Sequence, residues 1–375
     1  MLFYMAVILP LLSLALLIFT YHAFKIMQTL DRRNVVKGES VVYTYEIHNL
    51  TPFLFCPMKI FFYGDQILFK KTELMQPIEV ILQPGTLHRV SVEVDCVYRG
   101  SYFLGIEKIV IKDFFNLFAL NFVNIEKQKI LVYPLIREIK HLVIRNAVSE
   151  ATESIISFDK FDSSLFADVR DYRAGDSFRS IHWKLSSKYN QLMTKEYEGN
   201  VNNKSKILIN SDILPFTFEE NIVIEEYVVE GAVALLKYLL ENNTPIEMFW
   251  YKSEAKRIYG NKMKEFGKFY ESLTQMIFGG TNFIQKVLIK EMELSRDNNN
   301  FIIFTPYIGK EMSEYLIRKK RQNCTIHVFI VDANNSEFTA CINKMDGEPK
   351  YNLISHGVHV YRIIFENGMC RLEVA

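Results

Sequence analysis

Residues 169–184, VRDYRAGDSFRSIHWK, set Arg170, Asp171, Arg173, Asp176, Arg179, His182 and Lys184 around Trp183, one of only two tryptophans in the chain. Three chemistries suit such a set. His182, oriented by Asp171 or Asp176, has the pKa range of a general base toward water or the hydroxyl of Ser180 or Ser186. No strained Gly-x-Ser-x-Gly elbow selects one of these hydroxyls. Arg170, Arg179 and Lys184 suit a phosphate, yet the glycine-rich Lys-Ser/Thr loop of nucleotide-binding proteins is absent. Finally, arginine–carboxylate pairs beside a tryptophan face clamp protein surfaces through charge-assisted hydrogen bonds and cation–π contact. The preferred reading is this last one, a clamp or docking surface made of Arg170, Tyr172, Gly175, Asp176, Arg179, His182, Trp183 and Lys184. A membrane-associated hydrolase or transferase using the His182 region is the alternative.

The local pattern says how such residues are held. Ala174-Gly175-Asp176 reads as a turn ending in a helix N-cap, because glycine permits unusual backbone angles and the aspartate carboxylate accepts from free helix N–H groups. A short helix is expected to follow, with Phe178, Ile181 and Leu185 as an apolar stripe and Arg179, His182 and Ser186 on another face. LMTKEYEG (192–199) then leaves in extended form.

Around this segment the chain has room for two or three domains at about 100–200 residues each. Its 44 Lys+Arg against 43 Asp+Glu give a net charge of +1, so no overall field recommends nucleic acid, and none is expected as a partner. Cys56, Cys96, Cys324, Cys341 and Cys370 lack the short paired spacings of zinc or redox sites and read as reduced thiols.

From Met1 to Phe24 no Asp, Glu, Lys or Arg occurs. As a helix this run reads as one membrane anchor, with Pro10 tolerated inside it. Lys25, Arg32, Arg33 and Lys37 follow, so basic-residue bias predicts a single-pass cell-membrane protein with the bulk of the chain cytoplasmic. Residues 28–135 then read as an antiparallel β-sandwich. In RVSVEVDCVYRG, Val90, Val92, Val94 and Cys96 alternate with polar residues, and Pro84-Gly85 and Arg99-Gly100 signal turns. From about Lys204 strands and helices alternate: KILIN, a helical stretch over Glu219–Glu241, then PIEMFWY (245–251), NFIIFTP (300–306), TIHVFIVDA (325–333) and VHVYRI (358–363). Apolar strands separated by helices predict a doubly wound, mostly parallel sheet with any ligand site beyond the C-terminal strand ends.

The run YRAGDSFRSIHWKLSSKYNQLMTKEYE resembles the signature of the bacterial domain of unknown function 58 family. YRGSYFLG, DFFNLF and VYP (132–134) are similar to further elements of that family, with Phe114 and Asn116 replacing the usual Pro and Gly. The resemblance implies a multidomain chain: transmembrane helix 1–24, β-sandwich 28–135, linker with the signature 136–202, and an α/β doubly wound domain like von Willebrand factor A domains over 203–375. It implies a membrane-anchored, non-enzymatic scaffold or adaptor without cofactors, presenting that domain to a protein partner of the MoxR-type AAA+ ATPase class. Metal-binding relatives of that domain use an Asp-x-Ser-x-Ser loop, a Thr and a late Asp as hard oxygen ligands. Here Asn210-Ser211-Asp212-Ile213-Leu214 stands in the first loop, Thr281 of GGTN in the second, and Thr305-Pro306 where the late carboxylate belongs. Asn210, Asp212 and Thr281 are thus a remnant in which metal is not favoured, with a metal-dependent ligand binder as the further alternative.

Overall fold

The computed structural model describes residues 2–64, 76–123, 125–139, 143–144, 154–155, 166–172, 181, 183–189, 191–197, 205–214, 216–251, 255–279, 283–294, 300–320, 325–332, 349–366 and 369–374. They form two compact units, Met1–Leu135 with Tyr270–Met276, and Ile136–Phe269 with Ile277–Ala375.

The first unit opens with helix α1 (Leu2–Ala23) and continues through nine strands: β1 (Lys25–Leu30), β2 (Asn34–Val36), β3 (Ser40–His48), β4 (Met58–Gly64), β5 (Ile78–Val80), β6 (Leu87–Asp95), β7 (Gly100–Lys112), β8 (Ala119–Phe122) and β9 (Gln128–Tyr133). One sheet runs β1-β3-β6 and the other β2-β9-β7-β4-β5, with β8 on β7. The alternation in RVSVEVD is why β6 has two unlike faces: Val94 is buried, and Val90 and Val92 pack against the same core as Tyr43, Tyr45, Ile60, Leu104 and Ile109. Two buried polar side chains hold the connections. Asn49 donates to the carbonyls of Phe53, Leu82 and Gln83, while its side-chain oxygen accepts from Thr51. Arg99 Nη1 donates to the carbonyls of Leu273, Thr274 and Met276 at 3.1, 3.4 and 2.8 Å. Those acceptors are at and just beyond a helix C-terminus, where a cation also meets the negative end of the dipole.

The expected membrane anchor requires correction. From Ser13 onward α1 is engaged with protein: Ser13, Leu17 and Thr20 are buried. Ser13 Oγ donates to Asp113 Oδ2 at 2.8 Å, and Thr20 Oγ1 accepts from Cys56 N at 3.2 Å. Among the described residues no helix is long and apolar enough to cross a membrane. The N-terminal transmembrane helix, the fold class built on it and the single-pass cell-membrane placement are therefore overturned. An uncharged run is not a sufficient sign of a span, because Ser13 and Thr20 are polar groups with partners beside β7 and β4.

The second unit contains β10 (Val143–Ile144), β11 (Ser154–Ile155), β12 (Phe166–Asp171), α2 (Trp183–Tyr189), β13 (Met193–Tyr197), β14 (Ser205–Ile209), α3 (Phe218–Glu241), β15 (Ile246–Tyr251) and β16 (Ala255–Gly260). Helix α4 (Phe266–Thr274) lies across the boundary between the two units in sequence. Then come α5 (Phe283–Leu294), β17 (Asn300–Thr305), α6 (Lys310–Lys320), β18 (Thr325–Asp332), β19 (His359–Glu366) and β20 (Met369–Val374). The large sheet has the order β16-β15-β14-β17-β18-β19-β20. Its five inner strands are mutually parallel, and both edges are antiparallel.

All six residues of β17 are buried, which explains a run with no polar alternation. On one face Phe301, Ile303, Ile326 and Val328 share a core with Leu288, Met292, Met312 and Leu316 of α5 and α6. Helix α3 lies on the other face, where Gly231 permits close approach: a Cβ there would sit 2.9 Å from Ile363 Cδ1. Thr217 and Glu220 start α3 with a reciprocal capping box, satisfying N–H groups that the helix leaves open.

Candidate functional site

The C-terminal ends of β14 and β17 bring together residues far apart in sequence. Asn210 Nδ2 donates to Thr305 Oγ1 at 3.1 Å, and the Thr305 hydroxyl donates to the Tyr307 carbonyl at 2.6 Å. Asn210 Oδ1 accepts from Asp212 N at 2.9 Å. Asn221 on α3 accepts from Leu214 N and donates to the carbonyls of Leu214, Phe216 and Thr217, which fixes the loop. Gly279 N donates to Ser211 O at 3.1 Å.

Asn210, Ser211, Asp212 and Thr305 are all buried, whereas Ile213, Phe218 and Ile277 are 48%, 67% and 58% exposed. A bonded polar floor thus carries an apolar rim. Among the described residues no three His, Cys, Asp or Glu side chains gather at one point. The Asn210 side-chain oxygen is already accepting from a backbone N–H. Thr281 lies outside the described residues. Magnesium added to the purified chain is expected to leave the unfolding midpoint where sodium chloride of equal ionic strength leaves it. A saturable rise in midpoint at one ion per chain would contradict this.

The signature residues divide. Gly175, Asp176, Arg179 and His182 lie outside the described residues, as does the expected Gly-Asp turn. Arg170 stands on β12, which pairs antiparallel with β13. Tyr172 N donates to Leu192 O at 2.9 Å. Trp183 and Lys184 open α2.

Ile181 departs from the expected helical stripe. It is buried and forms an isolated β-bridge with Thr194, so α2 begins two residues later and Ile181 shares no helical face with Leu185. A β-branched side chain beside a paired ribbon favours that extended arrangement. Trp183 is 63% exposed, which is too open for the centre of a desolvated clamp.

Two polar clusters had no counterpart among the sequence-read residues. Arg137 Nε meets Glu230 Oε2 at 2.6 Å, with the glutamate side chain fully buried. On the β15–β16 edge, Arg257 pairs with Glu247 at 3.2 Å and with Glu291 of α5, and Tyr259 donates to Glu247 Oε1 at 2.8 Å. Accepting that bond, the Glu247 carboxylate raises the Tyr259 hydroxyl above its ordinary pKa, aided by burial. For Arg257, burial works against the charge, but Glu291 and Glu247 outweigh it and raise its pKa. Arg137 and Glu230 are 93 residues apart in the chain, and Glu291 lies 34 residues from Arg257, so neither cluster shows as a local pattern.

No family model matches the chain. Over 113 residues it is 29% identical to the uncharacterized protein YeaD of Bacillus subtilis (strain 168), covering 30% of this chain and 26% of that protein. The chain thus matches about a quarter of the length of this curated relative. Among solved structures, a cohesin module from a Clostridium perfringens family 33 glycoside hydrolase matches at 8% identity and a TM-score of 0.22, covering 29% of this chain and 96% of the module. A β-glucosidase from Listeria innocua matches at 14% identity and a TM-score of 0.16, over 29% of this chain and 16% of the enzyme. Scores of that size carry no structural or functional argument.

Proposed function

We propose that the chain is a non-enzymatic scaffold or adaptor whose second unit, resembling a von Willebrand factor A domain, is presented to protein partners, an AAA+ ATPase of the MoxR type among them. One observation carries this reading. At the strand ends, where α/β sheets hold ligands, the polar groups Asn210, Thr305 and Asn221 are hydrogen-bonded to the protein itself, and Ile213 and Phe218 stand exposed at the rim. A floor satisfied in this way offers little to a polar substrate, while exposed large side chains on a fixed loop suit a protein interface.

The test is capture of a purified MoxR-type ATPase by the full chain, with and without ATP. Replacing Phe218 and Ile213 by glutamate is expected to weaken capture about tenfold, the effect of losing a modest anchor, at an unchanged unfolding midpoint. Equal capture by the charged variants removes the rim from the interface. A hydrolytic or transfer activity of the wild-type chain, lost in His182→Ala at unchanged stability, overturns the scaffold reading.

A further inference from the structure

The turn of chain around α2 is anchored on one side and open on the other. Ile181 bridges to Thr194, Ser186 Oγ accepts from Met193 N at 2.9 Å, and Gln191 Nε2 donates to Asp171 Oδ1 at 2.8 Å. With the Tyr172–Leu192 backbone bond, these fix both ends of the helix to the β12–β13 ribbon. Facing outward, Trp183, Tyr189 and Leu192 are 63%, 59% and 44% exposed.

Between and beside them Lys184, Ser187 and Lys188 are exposed as well. The helix WKLSSKY contains no acidic residue. The nearby carboxylate of Asp171 is engaged by Gln191. By helical position Trp183, Ser187, Lys184 and Lys188 share one face, and Tyr189 adjoins its Lys188 edge, the Lys188 Nζ lying 5.9 Å from the centre of the Tyr189 ring.

Large aromatic side chains on a fixed backbone lose little conformational freedom on binding, and they are enriched among the residues that dominate interfaces. Lysines around them favour a partner of opposite sign and repel basic ones.

We propose that the exposed face of α2, with Trp183 as anchor, Lys184 and Lys188 as its charges and Tyr189 at its edge, docks an acidic protein surface. This rests on the scaffold reading and adds a second contact face, apart from the strand-end rim, with the chemistry of what it meets. The partner contributes carboxylates toward the two lysines and an apolar pocket for the indole. Complex formation is salt-sensitive through the lysines and lost on truncating the indole.

The experiment places a photocrosslinking residue at Ser187 of the full chain in its native cell and, separately, at Ile213 on the strand-end rim. The protein joined through Ser187 is identified and purified, and its binding to the chain is measured in isolation. Trp183→Ala and the pair Lys184→Glu/Lys188→Glu are each expected to weaken that binding at least tenfold, with unfolding midpoints unchanged. Lysines placed at the partner's crosslinked carboxylates should restore affinity to the charge-reversed chain. Binding unaffected by these changes, or crosslinking at Ser187 to nucleic acid, overturns the proposal. Adducts at Ile213 with none at Ser187 overturn it while the scaffold reading stands; absence of adducts at both positions removes the two together.

Discussion

Between pH 7 and pH 5 the second unit is expected to lose about 2 kcal/mol of stability to His327 alone, roughly 1.4 kcal/mol for each pH unit below the imidazole's ordinary pKa. His327 on β18 is buried. Burial pushes its pKa down to about 3, with His359 and Lys320 adding repulsion. Its ring is stacked on His359 at 4.9 Å and on Tyr361 at 5.8 Å between centroids. The Tyr361 hydroxyl lies 3.2 Å from its Nδ1.

Below about pH 6.5 the unfolded chain takes up a proton on this imidazole. The folded chain does not do so until about pH 3. More protons on the unfolded state means that stability falls as pH falls, and the loss ends once the folded imidazole also titrates. His359 is lowered too, by burial first and then by Lys320, and acts in the same direction.

Both tryptophans, Trp183 and Trp250, lie in the second unit, so urea titration followed by tryptophan fluorescence at pH 7.5, 6 and 5 reads this unit. The window stays above the range in which ordinary carboxylates titrate. His327→Phe keeps a flat ring in the stack and removes the proton site; its slope of stability against pH should be flatter than wild type by about 1 kcal/mol per pH unit. Parallel curves for the two proteins would show that His327 does not set the acid response.

What was legible in the sequence follows from the range of the forces involved. NFIIFTP and TIHVFIVDA announce themselves as strands because both faces must be apolar when helices cover them, and they form β17 and β18. RVSVEVD shows β6 for the opposite reason, one dry face and one wet. Composition does not reveal contacts. The uncharged run before Lys25 reads identically whether its neighbours are lipid or sheet, and the decisive bond, Ser13 to Asp113, spans 100 residues.

The strand-end site was half visible. Asn210 and Thr305 stand out in a loop comparison, yet the bond between them bridges 95 residues, and only the fold shows that each satisfies the other. At α2 the N-cap signal and apolar stripe predicted a helix through Ile181, and pairing with Thr194 prevailed. Helix propensity differences of a few tenths of a kcal/mol per residue are readily overridden by such packing.

The ion pair of Arg137 with Glu230 supplies the second large expected effect. Residues 136–202 read as a linker, but Arg137 at its start reaches 93 residues along the chain to α3. The Glu230 side chain is fully buried, and that of Arg137 is 15% exposed. Two charges held this close in a dry site offset much of their desolvation through mutual attraction and the hydrogen bond. Removing one partner takes from the other the close ion pair at 2.6 Å and costs far more than the pair contributes as a whole.

Arg137→Ala is therefore expected to destabilise the second unit by about 3 kcal/mol, the lower end of the range for breaking a buried pair. Glu230→Gln, which keeps size and a hydrogen-bonding oxygen, should cost less. The double variant Arg137→Met/Glu230→Leu should regain most of the loss, because apolar groups of similar volume avoid both desolvation penalties. Tryptophan fluorescence in urea measures all four proteins at pH 7.5. A loss below about 0.5 kcal/mol in Arg137→Ala would place this pair with exposed ion pairs, which contribute little. A double variant no more stable than Arg137→Ala would show instead that the cost arises from packing of the arginine stem rather than from the carboxylate's loss of this ion pair.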